Sequence, residues 1–358
     1  MKNAHKSQSG SVVYLDEWVS PEIVDGSGYL RPGKILEWMD VVGVIASSRY
    51  SKAPVVTASI DGLSLNHPVE VGARITLSAK IGFTSNKTMG VCVSMDHIKR
   101  NDSKAIKNTV KGYMVFVALD KTSEKPMPVP AFIPGSSEEQ QLFQEGQIRH
   151  DFRKKKIKEN WSTEKIIEES SNNTGHFKIR EFLKLLPNKI TAPWESQDLL
   201  VGERSRHHSY IHKIEPVFSG QLNFTGSLYG GTLVKWVETS AHLSARAYLD
   251  GMDVVMTALH GLNFLSPVKQ NVFLHIRSNV VHRSKNSITV LTEVQSEDPI
   301  ENETLETLRA FMTYRPLKNI VVPKLELKTD DDKKLFDEVK SRIQLQKMVY
   351  GSEEGRAT

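Results

Sequence analysis

A single cysteine, Cys92, stands in 358 residues, so neither an internal disulfide framework nor a cysteine-rich metal site can be built from this chain. Long apolar runs are also missing. No stretch approaches the roughly 18 uninterrupted apolar residues of a transmembrane helix, and the polar N-terminal region offers no apolar run of signal-peptide length. One free thiol and no leader point to the cytoplasm, with an organellar matrix as the other reducing setting. Charge of one sign is scarce as well: 47 Lys and Arg against 42 Asp and Glu leave a net +5, which suits anionic partners in general and selects none. No dense arginine-aromatic patch marks a nucleic-acid surface.

What the chain does have is one pattern written twice. From Gly33 to Tyr50 nearly every position from Ile35 to Ala46 is apolar or small, and a helix without a broad polar face belongs inside a core. Asp40 interrupts it, set between Trp38-Met39 and Val41-Val42; a carboxylate there needs partners, because burying it alone is costly. Gly231 to Tyr248 matches this stretch at an offset of 231 − 33 = 198, pairing Trp38 with Trp236, Asp40 with Glu238 and Tyr50 with Tyr248. Extended runs follow each helix. Val55–Asp61, Ala73–Phe83, Met89–Met95 and Val110–Leu119 in the first unit answer to Val254–Leu259, Val272–Val281, Ser287–Val294 and Leu308–Tyr314 in the second. Val13–Glu22 reads as a strand ahead of the first helix. One buried helix and a set of strands, repeated, is an α+β duplication in which each antiparallel sheet wraps its helix.

The expected organisation is a disordered polar start over residues 1–12, a first unit over 13–135, a charged helical linker over 136–205, a second unit over 206–320 and a helical tail over 321–358. The linker carries the basic run Arg153-Lys154-Lys155-Lys156, which reads as a solvated helix face. Glu138–Phe143 and Asp331–Phe336, which leave the two units, resemble each other at an offset of 331 − 138 = 193. His207, His208 and His212 cluster without acidic or cysteine partners at ligand spacing, so no metal is assigned. Cys92 has no base beside it in sequence and reads as core filling.

Packed edge to edge, two such units can set the acid of one helix against the N-terminus of the other, where free backbone N–H groups and the helix dipole favour negative charge. That arrangement suits hydrolysis of an ester-like carbonyl: the carboxylate orients or deprotonates water, and N–H groups hold the oxyanion. The two sites so formed differ. The second helix is preceded by Gly226-Ser227-Leu228-Tyr229-Gly230-Gly231, whereas the first has Pro32 where the second has Gly230, and proline has no N–H to give. The working site is therefore expected to join Asp40 to Ser227, Gly230 and Gly231, leaving Glu238, opposite Pro32, as an inert second site. Glu238 also has a plain structural reading, pairing with Lys235 or His242 on its own helix.

Gly230-Gly231 followed by the acid Glu238, together with Ile35–Asp40, Val56–Asp61 and Trp236-Val237-Glu238, resembles the hotdog-fold acyl-CoA thioesterases. The likeness is to the eukaryotic tandem-hotdog type that includes the acetyl-CoA hydrolase and brown-fat-inducible enzymes. It implies two tandem hotdog domains, hydrolysis of fatty acyl-CoA to free fatty acid and CoA, and no cofactor beyond the CoA of the substrate. It implies a catalytic Asp, matched by Asp40, acting with an Asn from the other hotdog; three positions before Gly230, where that Asn is expected, stands Ser227. It also implies a homo-oligomer of three tandem chains. The C-terminal lipid-transfer domain of long members is not expected, since the sequence ends at Thr358. Lys87, Arg277, Arg283 and Lys285 are candidates for the CoA phosphates. A catalytically degenerate acyl-CoA-binding or regulatory hotdog remains the alternative function.

Overall fold

The computed structural model describes residues 5–6, 12–158 and 203–350; most of the expected polar start and the later part of the expected linker lie outside the described residues. The elements, in order, are β1 (His5–Lys6), β2 (Val13–Trp18), α1 (Pro32–Ser51), β3 (Val55–Leu65), β4 (Arg74–Thr84), β5 (Thr88–Ile98), β6 (Ala105–Ala118), β7 (Ala131–Phe132) and α2 (Ser137–Lys158). The second half follows with β8 (Glu203–Arg204), β9 (Ile211–Pro216), α3 (Gly230–Tyr248), β10 (Val254–Phe264), β11 (Phe273–Arg283), β12 (Ile288–Asp298), β13 (Glu303–Pro316), β14 (Lys324–Leu325) and α4 (Asp330–Tyr350).

The duplication is visible in every layer. Helix α1 opens with Pro32 in its first turn, where a missing N–H costs nothing. It closes on Lys52 in the left-handed region (φ 59°), whose N–H bonds Ser48. Between those ends Ile35, Leu36, Trp38, Met39, Val42, Ala46 and Tyr50 are all buried. A helix apolar on so many sides cannot lie on a surface, so the sheet curls around it. The strands alternate to match: in β5, Met89, Val91, Val93 and Met95 face the helix while the residues between them face away. The β4–β5 and β11–β12 turns are built alike, Ser85 Oγ lying 2.6 Å from Thr88 Oγ1 and Ser284 Oγ 2.6 Å from Ser287 Oγ.

The two half-sheets fuse into one ten-stranded antiparallel sheet in the order β2-β4-β5-β6-β3-β10-β13-β12-β11-β9. The seam is β3 against β10, with Leu63 opposite Leu259 and Ile60 opposite Leu262, two pairs that a pseudo-twofold axis exchanges. On the concave side α1 and α3 cross at glycines. A Cβ added to Gly33 would lie 3.3 Å from Lys235 Cα, and one added to Gly231 would lie 3.2 Å from Glu37 Cα. Glu37 and Lys235 are themselves equivalent positions (235 − 37 = 198) and form an ion pair of 2.9 Å near the axis. Identical copies would place like charges there.

Several expectations change. Residues His5–Lys6, inside the stretch expected to be disordered, pair in parallel with β7. The first strand stops at Trp18, and Pro21–Ile23 forms a 3-10 turn because proline cannot continue the ladder. The charged linker begins as α2, which packs on the convex face of the first half-sheet, and α4 does the same on the second. Both follow one design. Glu145 and Arg149 in α2 answer to Glu338 and Arg342 in α4 at the offset 338 − 145 = 193. Arg149 stacks 3.5 Å over Tyr113, and Arg342 stacks 4.4 Å over Phe311, the residue equivalent to Tyr113. The repeated unit therefore includes the helix after each sheet. Arg153, read as part of a solvated run, is half-buried and paired with Asp61. Among the described residues no helix is long and apolar enough to cross a membrane.

Candidate active site

Asp40 sits in the third turn of α1 and is buried. Its carboxylate accepts two hydrogen bonds: Thr57 Oγ1, from β3, donates to Oδ1 at 2.6 Å, and the Gly231 N–H, in the first turn of α3, donates to Oδ2 at 2.9 Å. The acid of one copy thus caps the helix of the other, whose own N-cap residue Tyr229 makes no side-chain cap. Burial raises the Asp40 pKa to about 6, against the opposing pull of these two bonds. The carboxylate is then still mostly ionised at neutral pH.

The pseudo-twofold generates a second site. Glu238 is buried, accepts from Tyr314 Oη at 3.2 Å and is bonded by the Gly33 N–H. Burial raises its pKa to about 7, with Tyr314, Gly33 and Arg31 opposing and the charge of Asp25 adding to the rise. The alternative pairing with Lys235 or His242 is not formed: Lys235 reaches across to Glu37, and His242 packs its ring on Tyr314 at 6.0 Å.

The sites differ in three places. Gly231 spends its N–H on Asp40, so of the two glycines expected to serve an oxyanion only Gly230 keeps an N–H without a hydrogen bond among the described residues. A Cβ on Gly230 would lie 3.2 Å from Asp40 Oδ2, which sets this residue against the carboxylate. In the second site Pro32 occupies this position and offers no N–H. The loop before each helix also differs. Asn223 Oδ1 accepts from Thr225 N at 2.9 Å and from Ser227 N at 3.3 Å, closing the same turn that Asp25 closes by accepting from Ser27 N at 2.9 Å and Tyr29 N at 3.0 Å. Asn223 and Asp25 stand equally far before the two acids (238 − 223 = 40 − 25 = 15). The charge of Asp25 acts on Glu238, and by the equivalence of the two loops Asn223 takes the corresponding, uncharged place on the Asp40 side. Its amide Nδ2 has no hydrogen bond among the described residues. Thirdly, Thr57 is matched by Met256 (offset 199) and Tyr314 by Phe116 (offset 198), so the two acids take their second bond from different strands.

Ser227, expected to stand in for the family Asn, lies in this loop with its backbone N–H and C=O both committed to Asn223; its hydroxyl makes no hydrogen bond among the described residues. Sequence reasoning missed Asn223, Thr57 and Tyr314. The duplication itself carried the signal for Asn223, as the counterpart of Asp25. Of the four phosphate candidates, exposed Lys87 lies in the β4–β5 turn, at the end of the sheet that carries Thr57: Thr88 pairs with Val117, whose neighbour Phe116 pairs with Thr57. Arg283 and Lys285 lie at the Glu238 end, since Ile288 beyond them pairs with Tyr314. Arg277 faces the convex side and bonds Gln295, away from both acids. Cys92 borders a cavity under α2 with Tyr113 and Arg149, across the sheet from Asp40, and burial pushes its thiol pKa up. His212 Nε2 lies 3.1 Å from His275 Nδ1. Among the described residues no three His, Cys, Asp or Glu are grouped to hold a metal ion.

The model of the Thioesterase superfamily matches residues 28–101 and 225–302, one segment in each copy and each containing one of the acids. A cytosolic acyl coenzyme A thioester hydrolase of Mus musculus is 34% identical over 146 residues, 40% of this chain and 37% of that protein. An acetyl-coenzyme A thioesterase of the same organism is 23% identical over 328 residues, 89% of this chain and 54% of that one. The matches thus span about a third to a half of those relatives' lengths. A putative oleoyl thioesterase of Lactobacillus plantarum, 10% identical with a TM-score of 0.50, covers 87% of this chain and 98% of its own, a likeness of fold alone. With that pattern matched in both halves of a duplicated helix-in-sheet architecture, the chain has a tandem hotdog fold, each half of which is similar to the Thioesterase superfamily.

Proposed function

We propose that this protein hydrolyses acyl-CoA thioesters to a free fatty acid and CoA at one of its two pseudo-equivalent sites, the one built on Asp40. The observation that carries this reading is the asymmetry of donors. Mutual helix capping accounts for the burial of both acids, but among the described residues only the Asp40 side has an N–H without a hydrogen bond, that of Gly230, together with an amide Nδ2 without one, that of Asn223. Beside Glu238 the same places hold a proline and a carboxylate. A negative charge developing on a carbonyl oxygen is stabilised in the first environment and repelled in the second.

In the proposed reaction the thioester carbonyl oxygen lies against the Gly230 N–H and Asn223 Nδ2. Asp40, aimed by Thr57 and Gly231, takes a proton from a water that attacks the carbonyl carbon. The tetrahedral oxyanion collapses, the C–S bond breaks, and the proton on Asp40 passes to the departing CoA sulfur. No covalent acyl-enzyme is needed. Lys87 is the phosphate candidate of this reading because its turn lies at the Thr57 end of the sheet. Asn223 takes the role first expected of Ser227. The cytoplasmic setting and the assembly of three tandem chains are part of the same proposal; a monomeric mass in solution contradicts the second.

Release of free CoA from a panel of acyl-CoAs tests the reading, comparing the wild type with Asn223→Ala and Ser227→Ala. Loss with the first and retention with the second is the expected result. The degenerate-binder alternative draws on the fact that capping alone explains Asp40; it predicts acyl-CoA binding without CoA release from any substrate.

A further inference from the structure

The two acids are approached from the sheet by the same strand position, and the residues placed there differ. Tyr314 on β13 reaches Glu238 with its hydroxyl; its counterpart on β6 is Phe116 (314 − 116 = 198). Phe116 is fully buried and sits opposite Thr57 in the β3–β6 register, so both side chains point to the same, concave face. Its ring ends against α1 three residues beyond Asp40: a Cβ added to Gly43 would fall 2.5 Å from Phe116 Cζ. Ala241 is the residue equivalent to Gly43 in the other copy, so the absence of a side chain at position 43 is what lets the Phe116 ring press against the helix backbone. Asp40, Thr57, Gly43 and Phe116 therefore meet between α1 and the sheet, with the phenyl ring where the other copy has a phenol that reaches its acid.

We propose that Phe116, seated on Gly43, is the inner wall of the acyl pocket and sets the longest acyl chain the Asp40 site accepts. The inference rests on the thioester reading of that site. A carbonyl held at Gly230 and Asn223 presents its carbon to water aligned by Asp40, and its alkyl chain must then leave through apolar surroundings. Between helix and sheet the path beyond Asp40 and Thr57 runs into the phenyl ring.

The test is the chain-length profile of kcat/KM from acetyl-CoA to stearoyl-CoA for the wild type, Phe116→Leu and Phe116→Ala, with Kd for the same acyl-CoAs measured calorimetrically in an Asp40→Asn background. Leucine keeps most of the core filled, so a folding defect in the alanine variant does not decide the matter; thermal unfolding reports on both. The optimum is expected to move to longer chains, more for alanine than for leucine, with kcat/KM rising about fourfold for each further methylene that the vacated space buries. The shift is expected mostly in KM, since the reacting groups are untouched. CoA release with an unchanged profile in both variants overturns the wall and leaves the hydrolysis reading standing. No release from any chain length, with Kd still shifting toward longer chains in the variants, overturns the hydrolysis reading and supports the wall.

Discussion

Replacing Asp40 by Asn is expected to make this protein more stable while disabling it. A carboxyl with a folded pKa of about 6 against 3.8 for the free group is disfavoured as an anion in the folded state by about 3 kcal/mol. The sign follows from proton binding. Between those two values the folded protein holds the proton and the unfolded chain does not, so stability falls as pH rises from 3.8 to 6, and the full penalty is present above pH 6. Asparagine removes the charge and still fits the site, accepting from the Gly231 N–H and donating to the Thr57 hydroxyl, which accepts as readily as it donates. Allowing for weaker neutral hydrogen bonds, the net gain at pH 8 is about 2 kcal/mol. It should shrink steadily below pH 6 and vanish near pH 4. Urea unfolding of the two proteins at pH 8, 6 and 4 measures this through the midpoint at constant slope. An Asp40→Asn protein less stable than the wild type at pH 8, or a gain unchanged at pH 4, would refute the claim that the carboxylate is held at a cost to stability.

Other consequences follow from the same geometry. With wild-type protein, kcat/KM for CoA release should rise with pH through about 6 as Asp40 loses its proton; a profile flat from pH 5 to 8 contradicts the base. Gly230→Pro copies Pro32, which the first helix already tolerates in its first turn, so the fold should persist while loss of one oxyanion donor lowers kcat about a hundredfold or more. Circular dichroism and CoA release together check both halves of that statement. Glu37→Lys sets a third lysine against Lys34 and Lys235, the two partners of Glu37, and should lower stability by about 1 kcal/mol, a modest figure because those side chains are 28% and 39% exposed. Adding Lys235→Glu should restore the part of the loss that belongs to the contact across the axis and leave the part from Lys34, and thermal unfolding of the single and double variants at low and high salt measures it.

The fold was legible in the sequence because the duplication repeats strong local signals. An apolar helix with one acid and four extended runs, at offsets that drift by only one residue, specify both the elements and their equivalence. The convex-face helices were harder to place. Glu138–Phe143 announced a repeat, but the pairs that bind each helix to its sheet, Arg149 on Tyr113 and Arg342 on Phe311, join residues far apart in sequence. Their charged composition read as solvent exposure. At the site, the argument from helix ends pairs Asp40 with Gly230 and Gly231, and Asp40 does contact both. Their division of labour was not readable, because which glycine N–H meets the carboxylate depends on how closely α1 and α3 cross. Asn223 was overlooked in favour of Ser227 by counting from the glycines; counting from the acids, fifteen residues back in each copy, finds it. Thr57 lay inside a motif already noted, but nothing in a strand's sequence says which of its hydroxyls faces the helix before it.

The central claim, one working site assembled from the first helix and the second copy's glycine loop, is tested most directly by free-CoA release from short, medium and long acyl-CoAs with Asp40→Asn and Glu238→Gln side by side. The account predicts turnover lost in the first and kept in the second. Turnover lost only in Glu238→Gln would show that the two sites have been assigned the wrong way round.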